Sequence, residues 1–207
     1  MNYKHCPRSK LELRNLILDK SVNLGEIDTS LINDMSHLFE PTLEGEQVRE
    51  DFSGIGNWDT SNVVDMSYMF CYTTFFNESI LQWDVSRVTS MRGMFQFATK
   101  FNQPLKGWNV GYVQDMGSMF YDAESFNQDL SDWNISKVRN MRFMFMYARS
   151  LNIKPAFDLS KVEDQTAMFY GTPLAYVAPN FAVENKELEA LAKKEHDSIK
   201  AGEHFGK

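Results

Sequence analysis

Cysteine, basic charge and unbroken apolar runs are what this chain of 207 residues has least of. Its two cysteines, Cys6 and Cys71, are too few to staple a fold of this size, which suits a reducing compartment or a fold with no reliance on disulfides. The formal net charge is −7, so the basic stripe that phosphate contacts require is missing, and neither nucleic acid nor an anionic membrane surface is expected as a partner. No apolar run is long enough to span a membrane. Near the N-terminus, Glu12, Arg14 and Asn15 interrupt what would have to be the apolar core of a secretory leader. That predicts a cytoplasmic location for the chain as written, with the cell surface as the alternative if a leader has been removed. The four histidines, His5, His37, His196 and His204, have no metal-ligand spacing with one another or with the cysteines. Phosphate-cradling glycine loops and nucleophile elbows are absent too. These gaps predict a protein that is not an enzyme, with no catalytic residues, no cofactor and no metal site.

What the chain does have is a period. Its four tryptophans, Trp58, Trp83, Trp108 and Trp133, stand 25 residues apart, each followed at a fixed offset by Met69-Phe70, Met94-Phe95, Met119-Phe120 or Met144-Phe145. A fixed period without insertions is the mark of units that stack on their neighbours. A first unit begins near Ile27, where Ile27-Asp28-Thr29-Ser30 aligns with Trp58-Asp59-Thr60-Ser61, and a sixth begins near Phe157. The expected organisation is a leader with a capping helix over residues 1–23, repeats over 24–172 starting near 27, 58, 83, 108, 133 and 157, and a charged helical tail or cap over 173–207. Ser9 and Glu12 form a capping-box pattern for a helix over roughly residues 10–19, after a loose leader at 1–8. The segment Pro41 to Glu46 reads as a loop inserted between the first two repeats. From Glu184 to Lys200 the chain is helix-prone, with Leu188, Leu191, Ala192 and Ile199 as a weak apolar stripe.

Within the unit, apolar-x-x-Trp-x-(Val/Ile) has the spacing of a leucine-rich repeat, and Trp-x-Val alternates as a short strand does. Ser61, Ser86 and Ser136 can each cap a following turn or two of α- or 3₁₀-helix. The fold class expected from these features is an α/β repeat: a leucine-rich-repeat-like right-handed solenoid with short parallel strands, short helices and helical caps. Ten of the twelve methionines fall at equivalent positions and are read as core. Asn77, Asn102, Asn127 and Asn152 form a ladder that would satisfy backbone groups at a corner. With Trp inward, its neighbours turn outward, which puts Asn57, Asp59, Gln82, Asp84, Gly107, Asn109, Asp132 and Asn134 on one polar face.

The unit W-D-V-S-x-V-x-x-M-x-x-M-F-x-x-A-x-x-F-N-Q-x-L resembles that of the bacterial BspA-like leucine-rich-repeat surface proteins, whose short repeat is a domain of unknown function. Trp133-Asn134-Ile135-Ser136, Met144-Phe145 and Phe126-Asn127-Gln128-Asp129-Leu130 carry the likeness, which covers about residues 24–170. The resemblance implies adhesion or protein binding and brings no catalytic residues with it. Together these readings predict a non-enzymatic protein–protein interaction scaffold with an unknown protein partner, oligomeric state left open. The alternative is a secreted or surface adhesin that binds a host protein, a glycan or calcium. The candidate interaction surface comprises Arg87, Tyr112 and Lys137 after the serine position, Asp59, Asp84, Asn109 and Asn134 after the tryptophan position, and Tyr72, Phe97, Tyr121 and Tyr147 just past each Met-Phe pair. The last four could form an exposed aromatic stripe or pack over neighbouring repeats.

Overall fold

The computed structural model describes residues 3–41 and 48–176, together with Ala190, Lys193, Lys194 and Asp197. Most of the expected inserted loop and of the C-terminal tail lies outside these described residues. The described residues of 27–41 and 48–176 form coils stacked in chain order, one per repeat. The coils contain almost no regular secondary structure. Among the described residues of 3–176, one α-helix, α1 (Lys10–Leu18), is joined only by short 3₁₀ turns at Leu24–Glu26, Ile55–Asn57, Leu159–Lys161 and Pro173–Tyr176. Among the described residues, parallel pairing is confined to isolated single-residue bridges, Asp34 to Asp65 to Ser90 to Asp115 to Asn140 to Asp164, plus His5 to Ile27. The expected α/β leucine-rich-repeat-like solenoid is therefore incorrect, because the described residues contain neither its sheet nor its repeated helices.

The reason lies in how the backbone distributes its hydrogen bonds. In the second coil the N–H groups of Met66, Tyr68, Phe70 and Tyr72 donate to the carbonyls of Ser90, Arg92, Met94 and Gln96 on the next coil, at 2.8–3.0 Å. The intervening N–H groups of Met69, Cys71 and Thr73 bond back to Met66, Tyr68 and Phe70 of their own coil. Alternate amides thus face in different directions. A helix needs all of them bonded locally, and a parallel ladder needs a run of consecutive residues in extended geometry. Neither condition is met, although the backbone donors are used. The pattern recurs from Met91 to Phe97 and from Met116 to Asp122.

The route requires left-handed backbone at two places in the second to sixth units and at His37 in the first. Tyr68, Ser118, Phe143 and Ala167 have positive φ at one, and Tyr72, Phe97, Asp122 and Tyr147 at the other; Gly93 and Gly171 fill the same places in their coils. A non-glycine residue there costs on the order of 1–2 kcal/mol, which the forward-pointing amide bonds and the packing must offset. Gly93 has a further reason: a Cβ would run into the ring of Tyr68 from the preceding coil.

The core is a set of side-chain columns. Phe39, Phe70, Phe95, Phe120, Phe145 and Phe169 stack with centroid spacings of 5.2, 5.6, 5.6, 5.5 and 5.4 Å. The methionines at the repeat positions from Met35 to Met168 are buried beside them. Trp58 lies nearly parallel to Trp83, and Trp108 to Trp133. Each indole N–H also reaches back to a carbonyl of an earlier coil: Trp83 to Ile55, Trp108 to Ile80 and Trp133 to Leu105, at 3.1–3.3 Å. Tryptophan therefore contributes both buried area and a hydrogen bond that fixes coil spacing.

The N-terminal end is closed by α1. Ser9 accepts from the Glu12 amide, while the Glu12 carboxylate turns to the Arg8 amide. Leu13 and Ile17 are buried on the first coil. With no coil before it, that coil would leave carbonyls open; Arg14 donates to those of His37, Leu38 and Glu40. The leader is not loose throughout, since Lys4 and His5 donate to the Glu26 carbonyl and Asp28 donates to that of His5.

Trp108→Ala should destabilise the fold by about 3–5 kcal/mol in chemical denaturation, because it empties a core site and leaves the Ile80 carbonyl without its indole donor. A change below about 1 kcal/mol would show that the indole column does not hold the coils together.

Candidate functional site

The segment after each tryptophan builds the most regular exposed surface of the molecule. An Asp or Asn side chain accepts the amide two residues later, closing an Asx turn: Asp59 with Ser61, Asp84 with Ser86, Asn109 with Gly111, Asn134 with Ser136 and Asp158 with Ser160, at 2.9–3.2 Å. The serines that the sequence suggested as helix caps are instead donors to these turns. In two coils the turn is tied to the next one as well, where the buried Thr29 and Thr60 hydroxyls donate to the Asp59 and Asp84 carbonyls.

Next along the chain, Asn62, Arg87, Tyr112, Lys137 and Lys161 occupy equivalent exposed places. They interlock between coils: Arg87 donates to Asn62 at 3.0 Å, and the Lys137 ammonium lies 3.6 Å from the centroid of the Tyr112 ring. Tyr112 is nevertheless 57% exposed. Beside this row lie the exposed Asn57, Asp59, Gln82, Asp84, Gly107, Asn109, Asp132 and Asn134, on the side opposite the buried tryptophans. The inward–outward alternation read from the sequence is present, but without a sheet to carry it.

The aromatic candidates are placed differently. Tyr72 and Tyr147 are half-buried, while Phe97 and Tyr121 are buried. They belong to a second apolar cluster, apart from the main core, with Phe143, Met146, Ala167 and Tyr170. An exposed stripe of Tyr72, Phe97, Tyr121 and Tyr147 therefore does not exist. Tyr121 also stands one place ahead of the other three: Asp122 occupies the left-handed position that Tyr72, Phe97 and Tyr147 share. Burial is the main cause that raises the Tyr147 hydroxyl above its ordinary range.

The Asn ladder is structural. Asn77, Asn102 and Asn127 accept the amides of Asn102, Asn127 and Asn152 at 2.9–3.0 Å. These side chains are exposed or half-buried, not buried as their regular recurrence implied.

Other clusters of reactive groups have structural work. The Glu40 carboxylate contacts the His37 ring and adjoins Cys71. Burial first, and Glu40 second, push the Cys71 thiol well up, which keeps it protonated and a poor nucleophile at neutral pH. Arg49, in a cleft with Lys20, Glu50 and Asp51, spends its guanidinium on the carbonyls of Ile17, Val22 and Asp51. Among the described residues, no three His, Cys, Asp or Glu side chains are grouped to hold a metal ion, and no helix is long and apolar enough to cross a membrane.

Two Asx carboxylates carry a pH signature. Asp84 is held below the ordinary carboxylate range, first by the Ser86 hydroxyl and then by its amide, and Asp158 by the amide and hydroxyl of Ser160. A depressed carboxylate contributes stability above its unfolded value that is lost as pH falls through the folded value. Asn109 and Asn134 already fill the same role uncharged. Asp84→Asn should thus keep the melting temperature at pH 7 within about 2 °C and make its decline below about pH 4 shallower. An unchanged acid limb would show that the Asp84 charge does not contribute.

A sequence profile described as "Mycoplasma protein of unknown function, DUF285" matches residues 13–105, 43–156 and 107–175, which together run from α1 through the last coil. No curated protein matches the chain, and no solved structure does.

Proposed function

We propose, on the premise that this chain belongs to the family of Mycoplasma proteins of unknown function designated DUF285, that it is a non-enzymatic scaffold for binding another protein. Its contact surface is the row Arg87, Tyr112 and Lys137, bordered by Asp59, Asp84, Asn109 and Asn134. The observation that supports this most is the contrast within a single unit. The Asx turn is held the same way in coil after coil, while the place beside it changes from Leu31 to Asn62, Arg87, Tyr112, Lys137 and Lys161. A rigid frame that presents differing side chains at fixed intervals is how stacked repeats build a recognition surface. Arginine and tyrosine are the residues most able to anchor an interface. Because their turns are already ordered, little conformational freedom is lost on binding.

The resemblance to BspA-like surface proteins supports a second form of the same proposal, in which the partner is a host protein or a glycan at a cell surface. The exposed Tyr112, on the same face as the exposed Asp59 and Asp84 of the two preceding coils, is the feature that suits it. For calcium, a melting temperature that rises steeply with the ion would separate this form from the plain scaffold.

Immobilised native protein should retain a protein from source-cell lysate that an Arg87→Glu/Tyr112→Ala/Lys137→Glu variant with an unchanged melting temperature does not. Equal retention by both, or retention by neither, would remove this row as the binding surface.

A further inference from the structure

α1 is fastened to the stack by one side. Leu13 and Ile17 are fully buried on the first coil, Lys10 donates to Asp34 and Ser36, and Arg14 donates to the carbonyls of His37, Leu38 and Glu40. These contacts follow one another along the first coil. The helix therefore lies along that coil, and its far side faces out of the N-terminal end of the stack.

That far side is apolar where capping does not require it. Leu11 is 70% exposed and Leu18 48% exposed, with the exposed Asn15 between them. The three stand at i, i+4 and i+7, which is one face of a helix over two turns. A solvated helix position is served as well by lysine, glutamine or glutamate as by leucine. The other exposed large apolar side chains among the described residues are Leu31, Val64, Phe75, Leu81, Tyr112 and Ile153. None of them shares a helix face with another, and Phe75 and Tyr112 have the ammonium groups of Lys100 and Lys137 over their rings. Singly exposed apolar residues are ordinary surface; Leu11 and Leu18 are a matched pair on a rigid element.

We propose that this face of α1 binds the same face of a second copy of the chain, joining two stacks by their N-terminal ends. The face has the spacing of a helix–helix seam, with Leu11 and Leu18 at d positions and Asn15 at the a position between them. Its charges select both the occupant and the orientation. Glu12 and Asp19 flank the seam on one side, and Lys10 and Arg14 flank it on the other. A two-fold axis parallel to the two helices sets each acidic flank against the basic flank of the partner. Antiparallel packing would set acid against acid and base against base. Parallel pairing also brings Asn15 to the partner's Asn15, where the two side-chain amides can bond to each other. The seam is only two turns long, which makes the dimer a weak one. It lies at the end of the stack, apart from the row of Arg87, Tyr112 and Lys137.

Sedimentation equilibrium of the full-length chain tests this. The weight-average mass should rise towards twice that of the monomer between about 10 µM and about 1 mM. Leu11→Lys/Leu18→Lys should keep the melting temperature of the dilute protein within about 2 °C and hold the mass at that of the monomer throughout. In a Cys6→Ser background, Leu18→Cys should form a disulfide-linked dimer on mild oxidation, because a parallel pair places the two substituted positions face to face. A native chain that stays monomeric at every concentration would overturn the proposal, as would a lysine variant that dimerises like the native chain. Cross-linking seen only when Leu11→Cys and Leu18→Cys chains are mixed would overturn the parallel order. If the lysine variant fails to fold, the native mass and the cross-link still decide the question.

Discussion

The forward-pointing amide is the constraint on which the rest of this molecule depends. Every second N–H along the Met-x-x-Met-Phe segment leaves its own coil and bonds to the next, and the amides between them bond within their own coil, the first to a side chain two residues back and the later ones to carbonyls three residues back. That division fixes the coil spacing, which brings the phenylalanines to within 5.2–5.6 Å of their counterparts. It also explains why the side chains look so ordered while regular secondary structure is scarce. Backbone satisfaction and core packing are the same event here: a coil that shifted would break its hydrogen bonds and its aromatic stack together. The ends follow from this logic. The first coil has carbonyls facing away from the stack, and Arg14 of α1 supplies the donors that a preceding coil would have given.

The period, the inward tryptophans and the methionine and phenylalanine columns were legible because each depends on side-chain chemistry recurring at a fixed interval. The backbone course was not. Left-handed geometry normally announces itself through glycine, and at the two recurring places of the unit Gly93 and Gly171 do so, while Tyr68, Phe97, Phe143 and Tyr147 adopt it there without any such signal. The apolar spacing around Trp-x-Val therefore read as a strand, and the serine after it as a helix cap, when both belong to turns. Tyr121 was grouped with Tyr72 by proximity to Met-Phe; counting from the tryptophan shows Asp122 to be the equivalent residue.

The same geometry separates two kinds of surface. On the tryptophan side, Asx turns hold a polar face whose composition changes from coil to coil, and this is the face we propose meets a partner. At the Met-Phe turn, aromatic residues gather into a cluster that the chain itself buries. A residue type favoured at interfaces is thus found in both places, and exposure, not identity, distinguishes them: Tyr112 is 57% exposed and Tyr121 is 0% exposed. The family to which the chain belongs has no assigned function, so the functional argument rests on this surface chemistry.

The alternating hydrogen-bond pattern is most directly tested by scalar couplings across hydrogen bonds, measured by NMR on the isotope-labelled protein. The account predicts a coupling from the Phe95 amide to the Met119 carbonyl carbon, and from the Phe120 amide to that of Met144. Couplings from Phe95 to Met91 and from Phe120 to Met116 would instead show an ordinary helix in each repeat, and would contradict it.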